Sequence, residues 1–246
     1  MQARLGELLE HQRERITQSL ETVELSAEQE AQLNNVLLGS DYVRDQFERR
    51  PELLGQTLTS VSQPYLAGDM ALRVEEAIAQ VDSEESLMRS LRQLRQREMV
   101  RIIWRDLNRM ADLAETTLAL SDLADACCDR ALTWLHEDLK PDFGTPVNDR
   151  GEEQFLVVLG MGKHGAQELN LSSDIDLIFT YPEHGETVDG RRSLDNAEFF
   201  NRLGKRLIKV LDAPTADGFV FRVDMRLRPF GESGPLVMSF NAIEDY

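Results

Sequence analysis

The spacing of apolar residues changes along the chain, from steps of three and four to strict alternation. From the start to about residue 140 the pattern is helical. Residues 2–22 carry Leu5, Leu8, Leu9, Ile16 and Leu20 among many charges, which predicts a surface helix. Two shorter helices follow over 27–38 and 40–49, the second stopping ahead of Pro51 because a proline disfavours helix at the residue before it. Pro51 itself is expected to open a helix, PELLGQTLTSV. Pro64 and Gly68 mark a loop, and another helix covers about 69–80. Asp82-Ser83-Glu84-Glu85 resembles a capping box ahead of a strong stripe: Leu87, Leu91 and Leu94, then Val100, Ile103, Leu107 and Met110. Ser121 is expected to cap a last helix, with Leu123, Cys127, Arg130 or Ala131, and Trp134 on one side.

The segment 140–153, KPDFGTPVNDRGEE, has no periodicity and reads as a link between a helical region, 1–140, and a second region, 150–246. An apolar run, Phe155 to Leu159, then breaks into a glycine turn with Gly160, Gly162 and Gly165. Asp174 and Asp176 open the next apolar run, Leu177 to Phe179. After a polar loop, residues 194–212 return to helix with Leu194, Ala197, Phe200, Leu203, Leu207 and Leu211 facing inward. In Phe219 to Pro229, Phe221, Val223, Met225 and Leu227 alternate with Arg222, Asp224, Arg226 and Arg228, which predicts a long half-buried strand. The expected fold class is α+β: a mostly helical first half followed by a mixed sheet. The end at Tyr246, just after a new segment (SFNAIEDY), gives the impression of a C-terminally truncated piece of a longer chain.

Alternation puts the Asp174 and Asp176 carboxylates on one face of a strand and Ile175 and Leu177 on the other. Carboxylates so close repel unless a cation sits between them, and oxygen ligands of this kind suit Mg²⁺. A side-chain-free glycine turn lets backbone N–H groups approach a phosphate. Asp224 brings a third carboxylate, flanked by guanidinium groups suited to phosphate oxygens. Together these read as a metal-dependent phosphoryl or nucleotidyl transfer site. The duller readings are solvated acids at a turn for Asp174 and Asp176, and a salt bridge to Arg222 or Arg226 for Asp224. Arg226 and Arg228 remain open between phosphate contact and pairing. Gly160-Met161-Gly162-Lys163-His164-Gly165 has dinucleotide-binding spacing, but the acidic pair comes too early for a ribose contact and the remaining chain is too short for that fold. Lys163 is not placed as a P-loop requires.

Composition narrows the choices. A net charge of −17 over 246 residues repels a nucleic-acid backbone, so no nucleic-acid partner is expected. No apolar run reaches membrane-spanning length, and the N-terminus lacks a signal-peptide core, so no membrane association is expected. Adjacent Cys127 and Cys128 cannot staple a domain and suggest a reducing, cytoplasmic compartment. Scattered His11, His136, His164 and His184 form no zinc pattern. The arginines of the 87–110 helix (Arg89, Arg92, Arg95, Arg97, Arg101, Arg105, Arg109) suit an acidic partner or substrate phosphates, but pairing with local acids is preferred.

Two runs carry a resemblance: G-M-G-K-x-G-x-x-E-L-N-x-x-S-D-I-D-L-I-F from Gly160, and R-V-D-M-R-L-R-P-F-G-E-S-G-P-L-V from Arg222, with R-x-x-x-R-I-x-x-R-D-L from Arg97 in support. They resemble the bifunctional glutamine synthetase adenylyltransferase/adenylyl-removing enzyme family, polymerase-β-like nucleotidyltransferases with two related catalytic domains. The helical prefix from Met1 and the run Asp224 to Gly234 resemble the N-terminal, removing domain, which in the family continues past Tyr246. The resemblance implies phosphorolysis of adenylyl-tyrosine to tyrosine and ADP. It implies two Mg²⁺ ions on Asp174, Asp176 and Asp224, and an adenine nucleotide, ADP or ATP, contacted by Gly160, Gly162, Lys163, Ser172, Ser173, Arg226 and Arg228. The implied partners are glutamine synthetase and a PII-type signalling protein. Adenylyl transfer from ATP and a non-catalytic, partner-binding role are the alternatives.

Overall fold

The structure, a computed structural model, describes residues 2–246, with side chains from Gly6 onward apart from that of Glu232. Met1, at the start of the expected helical region, and the side chain of Leu5, expected on the first helix, lie outside the described residues. Contacts divide the chain into two compact units, Met1–Asp69 with Gln93–Leu120, and Met70–Arg92 with Ser121–Tyr246.

The first unit is helical: α1 (Gln2–Arg15), α2 (Thr17–Leu20), α3 (Ala27–Gly39), α4 (Asp41–Arg49) and α5 (Glu52–Ser60) pack with residues 93–120. The single helix expected over 2–22 is broken at Ile16, which is fully buried, and Ser19 just beyond it donates to the Phe47 carbonyl at 2.7 Å. Burial of Ile16 and the Ser19 bond outweigh helix continuity. The core holds Leu33, Val36, Phe47, Leu54, Val100 and Trp104, all 0% exposed. Trp104 meets the edge of Phe47 and donates its indole N–H to Gln32.

Two long helices contribute residues to both units. In α7 (Glu84–Leu107) the cap is Ser83, and its reciprocal partner is Ser86 where a glutamate was expected. In α8 (Leu113–Phe143) the cap is Asp112, which accepts from the Glu115 N–H at 2.8 Å. Ser121 therefore does not cap: it lies fully buried within the helix. Its periodicity was legible, but the helix-compatible run LAETTLAL ahead of it extends the element by two turns.

The arginines of α7 divide: Arg89 is exposed, Arg97 and Arg105 pair with acids, and Arg92, Arg101 and Arg105 are buried and donate to main-chain carbonyls. Arg101 and Arg105 are buried and donate to carbonyls at and just beyond the C-terminus of α5: Arg101 to Ser60 and Gln63, Arg105 to Val61 at 2.6 Å. Arg105 also bridges to Glu115 and Arg97 to Glu98, so local pairing is part of the picture. The last carbonyls of a helix have no intrahelical donor, and a guanidinium with its five N–H groups satisfies several at once.

The second unit adds α6 (Asp69–Ile78, from Met70 on), the first residues of α7 and the remainder of α8 to an α+β core. α8 runs through Pro141 to Phe143, and β1 (Thr145–Pro146) pairs antiparallel with β4 (Thr187–Val188). The stretch 140–153 is thus folded into this unit and is not a bare link. The main sheet centres on β3 (Ile175–Tyr181). On one edge it pairs antiparallel with β2 (Val157–Met161). Its other edge is shared by two short parallel strands, β5 (Val223–Asp224) at its start and β6 (Val237–Ser239) at its end. Between them lie α9 (Gly162–Gly165), α10 (Asn196–Asp212) and a short 3-10 turn (Gly231–Ser233), and α11 (Phe240–Glu244) follows.

β2 begins two residues later than the apolar run, leaving Phe155 exposed beside the His136 ring. α10, capped by Asp195, buries Phe199, Phe200, Leu203, Leu207, Val210 and Leu211, while Ala197 is exposed, a correction to the expected face. Its Gly204 lets the helix close on the sheet, since a Cβ there would sit 2.9 Å from the Phe179 ring. The strand predicted over Phe219–Pro229 shrinks to a two-residue ladder. Past Asp224 the chain turns, with Arg228 N–H bonded to the Met225 carbonyl, so Leu227 is 53% exposed. Arg226 N–H donates to Asp224 Oδ1, and this local side-chain bond competes with the ladder. Among the described residues no helix is long and apolar enough to cross a membrane.

Candidate active site

The start of β3 gathers the acidic residues. Ile175 and Leu177 are fully buried while Asp176 between them is half-buried, so the two faces divide as the alternation predicts. The parallel ladder sets Asp224 opposite Asp176. Neighbouring strands lie about 4.8 Å apart, so the two carboxylates start from adjacent positions. Asp174, just ahead of the strand, lines an open groove of about 330 Å³ together with Val223, Asp224, Met225, Arg226 and Arg228.

On the opposite edge of β3, Met161 pairs with Asp176, and β2 runs straight into the glycine turn. Gly162 has φ +55°, and a Cβ there would lie 2.7 Å from Asp176 Oδ2. A Cβ on Gly165 would lie 2.4 Å from the Gly160 carbonyl oxygen. Both positions therefore demand glycine: the backbone of the turn presses on an acidic side chain at one and on itself at the other.

The carboxylates are balanced by arginine. Asp174 pairs with Arg222 at 2.6 Å, and Asp224 with Arg226 at 2.5 Å. The Arg226 hydrogen bonds hold the Asp224 carboxyl below its ordinary value. Arg222 also donates to the Ser172 carbonyl at 3.1 Å. Among the described residues no three acids, histidines or cysteines stand close enough to grip a metal ion as they are. The all-oxygen donor set nevertheless suits Mg²⁺, and the competing cations are the exposed guanidinium groups of Arg222 and Arg226. The residues fit the ion, on condition that those guanidinium groups give way.

Other expected contacts are placed differently. Lys163 is exposed on the turn. Ser172 and Ser173 both donate to Asn170 Oδ1, at 3.3 and 2.8 Å, in a local turn. None of these three, nor the glycines, lines the groove that holds Arg226 and Arg228. Two residues escaped the sequence reading. Asn170 organises the serines, and an Asn ahead of Ser-Ser is an Asx-turn signal that could have found it. Asp212, at the end of α10, has its carboxyl raised by burial, opposed by a bond from the Val223 N–H and reinforced by the charge of Asp174. Nothing local marks it, because β5 reaches it only through the fold.

Asp174 and Asp224 lining one groove, Asp176 beside Asp224 in the ladder, and a glycine turn at the end of the neighbouring strand mark an α+β, nucleotidyltransferase-like unit. The chain belongs to the glutamate-ammonia ligase adenylyltransferase family, whose model matches residues 30–246. A bifunctional glutamine synthetase adenylyltransferase/adenylyl-removing enzyme of Pseudomonas putida is 53% identical over 218 residues, covering 87% of this chain and 22% of the relative. The enzyme of the same description from Pseudomonas aeruginosa is 55% identical over 214 residues, covering 86% and 22%. That of Shewanella oneidensis is 50% identical over 222 residues, covering 90% and 23%. The chain thus spans 22–23% of the length of these curated relatives.

Proposed function

We propose that this chain carries an adenylyl-removing nucleotidyltransferase centre. Inorganic phosphate attacks the AMP phosphorus of an adenylylated tyrosine on glutamine synthetase, the P–O bond to the tyrosyl oxygen breaks, and ADP and tyrosine leave. The observation that carries this reading is the β3–β5 register, which aligns Asp224 with Asp176 while Asp174 shares the groove. Asp174, Asp176 and Asp224 would hold Mg²⁺, in two ions, which when bound supplies charge neutralisation for the phosphoryl and departing tyrosyl oxygens. Arg226 and Arg228, already in the groove, offer donors to the incoming phosphate, and the Gly160–Gly165 turn offers backbone N–H groups to the AMP phosphate. Phosphate is an anion near neutral pH and needs no general base; the groove is lined by carboxylates and guanidinium groups and carries no histidine among the described residues.

The removing direction is favoured over transfer from ATP by the run Asp224 to Gly234, which resembles the removing domain. A PII-type regulator and a cytoplasmic location belong to the same proposal. The test is ADP release from adenylylated glutamine synthetase with Mg²⁺, with and without phosphate. Phosphate-dependent release supports removal. Incorporation of AMP from ATP, indifferent to phosphate, would replace it with the adding direction, and silence from folded protein would leave a partner-binding role. Asp174→Asn and Asp176→Asn are each expected to lower turnover at least about a hundredfold with the fold intact.

A further inference from the structure

The glycine turn has a support that the reaction above does not use. His164, within α9, is 3% exposed, and its Nε2 lies 2.6 Å from Asp125 Oδ1 on α8. An ionised carboxylate only accepts, so Nε2 carries the shared proton. Asp125 takes a second bond at its other oxygen, from Gln167 Nε2 at 3.0 Å. Burial works to raise the Asp125 carboxyl, but the bonds from His164 and Gln167 outweigh it and hold it low.

The other ring nitrogen of His164 is buried with no hydrogen-bond partner among the described residues, and it lies against Gly160, where a Cβ would come within 3.2 Å of it. Gln167 stands at φ +59°, a left-handed conformation uncommon outside glycine, and its side-chain bond to Asp125 helps to hold it there. One helical turn before Asp125, Ser121 Oγ accepts from the Leu169 N–H at 3.3 Å. Residues four apart share a helix face. Positions 164, 167 and 169 of the segment leaving the turn are therefore all tied to one face of α8.

We infer that Asp125 and His164 are positioning residues: they fix the Gly160–Gly165 turn against β3 in the conformation that receives a phosphate, without touching the phosphate themselves. The phosphate role of the turn rests on the proposed function; the tether itself does not.

The test compares Asp125→Ala, His164→Ala and a control, Asn196→Ala, in the full chain. Asn196 is buried and donates to the Val147 and Glu183 carbonyls, so its loss also weakens the unit, but away from the turn. Amide hydrogen exchange is read at the same interval below each variant's melting temperature. Both tether variants are expected to exchange about tenfold faster over residues 162–169 while Leu177–Phe179 stay protected, and the control is expected to leave 162–169 unchanged. Exchange over 162–169 equal to that of the control would overturn the inference. Should Asp125→Ala not fold, Asp125→Asn carries the test, since it keeps an acceptor for His164 but presents a donor to Gln167, and its exchange should fall between wild type and His164→Ala. The second arm titrates Mg·ADP, with the dissociation constant expected to rise about tenfold in the tether variants only. A loosened turn with unchanged Mg·ADP affinity would overturn the positioning role. If the wild-type chain fails to bind Mg·ADP, the proposed function falls, and the exchange arm still decides the tether.

Discussion

Three arginines of α7 and two beside β5 are the same side chain in opposite circumstances. Arg92, Arg101 and Arg105 are 0–3% exposed and donate to main-chain carbonyls; Arg92 alone reaches Val210, Ala213 and Gly218 where α10 ends and the chain turns toward β5. Arg222 and Arg226 have side chains 55% and 73% exposed and pair with carboxylates. Water and salt compete for the exposed pairs, so each is worth little and exchanges readily. A buried guanidinium cannot leave without orphaning the carbonyls it serves. Under the proposed function the difference separates scaffold from site: an arginine able to leave its carboxylate is one able to take a phosphate.

The comparison breaks most plainly on stability. Arg92→Met strips donors from buried carbonyls and is expected to cost roughly 3 kcal/mol in urea unfolding, with Arg101→Met close behind. A loss under about 1 kcal/mol would mean that burial does not distinguish the two sets. Arg226→Met is expected to cost under about 1 kcal/mol, yet to raise the half-saturating phosphate concentration in ADP release by roughly tenfold. An unchanged phosphate requirement would reduce Arg226 to a partner of Asp224.

Smaller effects come from titration. Burial, with the charge of Lys140, lowers the pKa of His136, so the unfolded state takes up the proton first. Its contribution is present above the unfolded value of about 6.5 and is lost as pH falls below it. His136→Gln should therefore flatten the decline in melting temperature between about pH 6.5 and 5. Asp224, held low by Arg226, has the same sign in a lower window: its pairing persists above the unfolded value of about 3.9 and is lost as pH falls through the depressed folded value. The smallest expected effect is that of salt. Raising NaCl to about 1 M should shrink the stability difference between wild type and Arg226→Met while leaving that for Arg101→Met in place.

Much of the candidate site's geometry was legible because it is local. Asp174 and Asp176 flank the buried Ile175 as alternation required, and the glycines stand where side chains would collide with Asp176 and the Gly160 carbonyl. Helices α3 to α6 fall within about two residues of their predicted bounds, since caps and prolines act on neighbouring residues. Misreadings arose where distant partners intervened. Ser121 had the chemistry of a cap but serves Leu169, 48 residues away. Arg92, expected to find local acids, serves carbonyls more than 100 residues along the chain. Leu227 kept the period of a strand that ended at Asp224.

The amino-acid sequence by itself determined most of the helices, the alternation that exposes the acids and the positions that must be glycine, because these depend on backbone sterics and on hydrophobic period. The tertiary structure alone decided which edge of β3 receives Asp224, which carbonyls the arginines of α7 satisfy and what holds the glycine turn. Each of those depends on a pairing between distant segments, and a side chain such as Arg92, Ser121 or Asp125 carries no local mark of the partner it will meet.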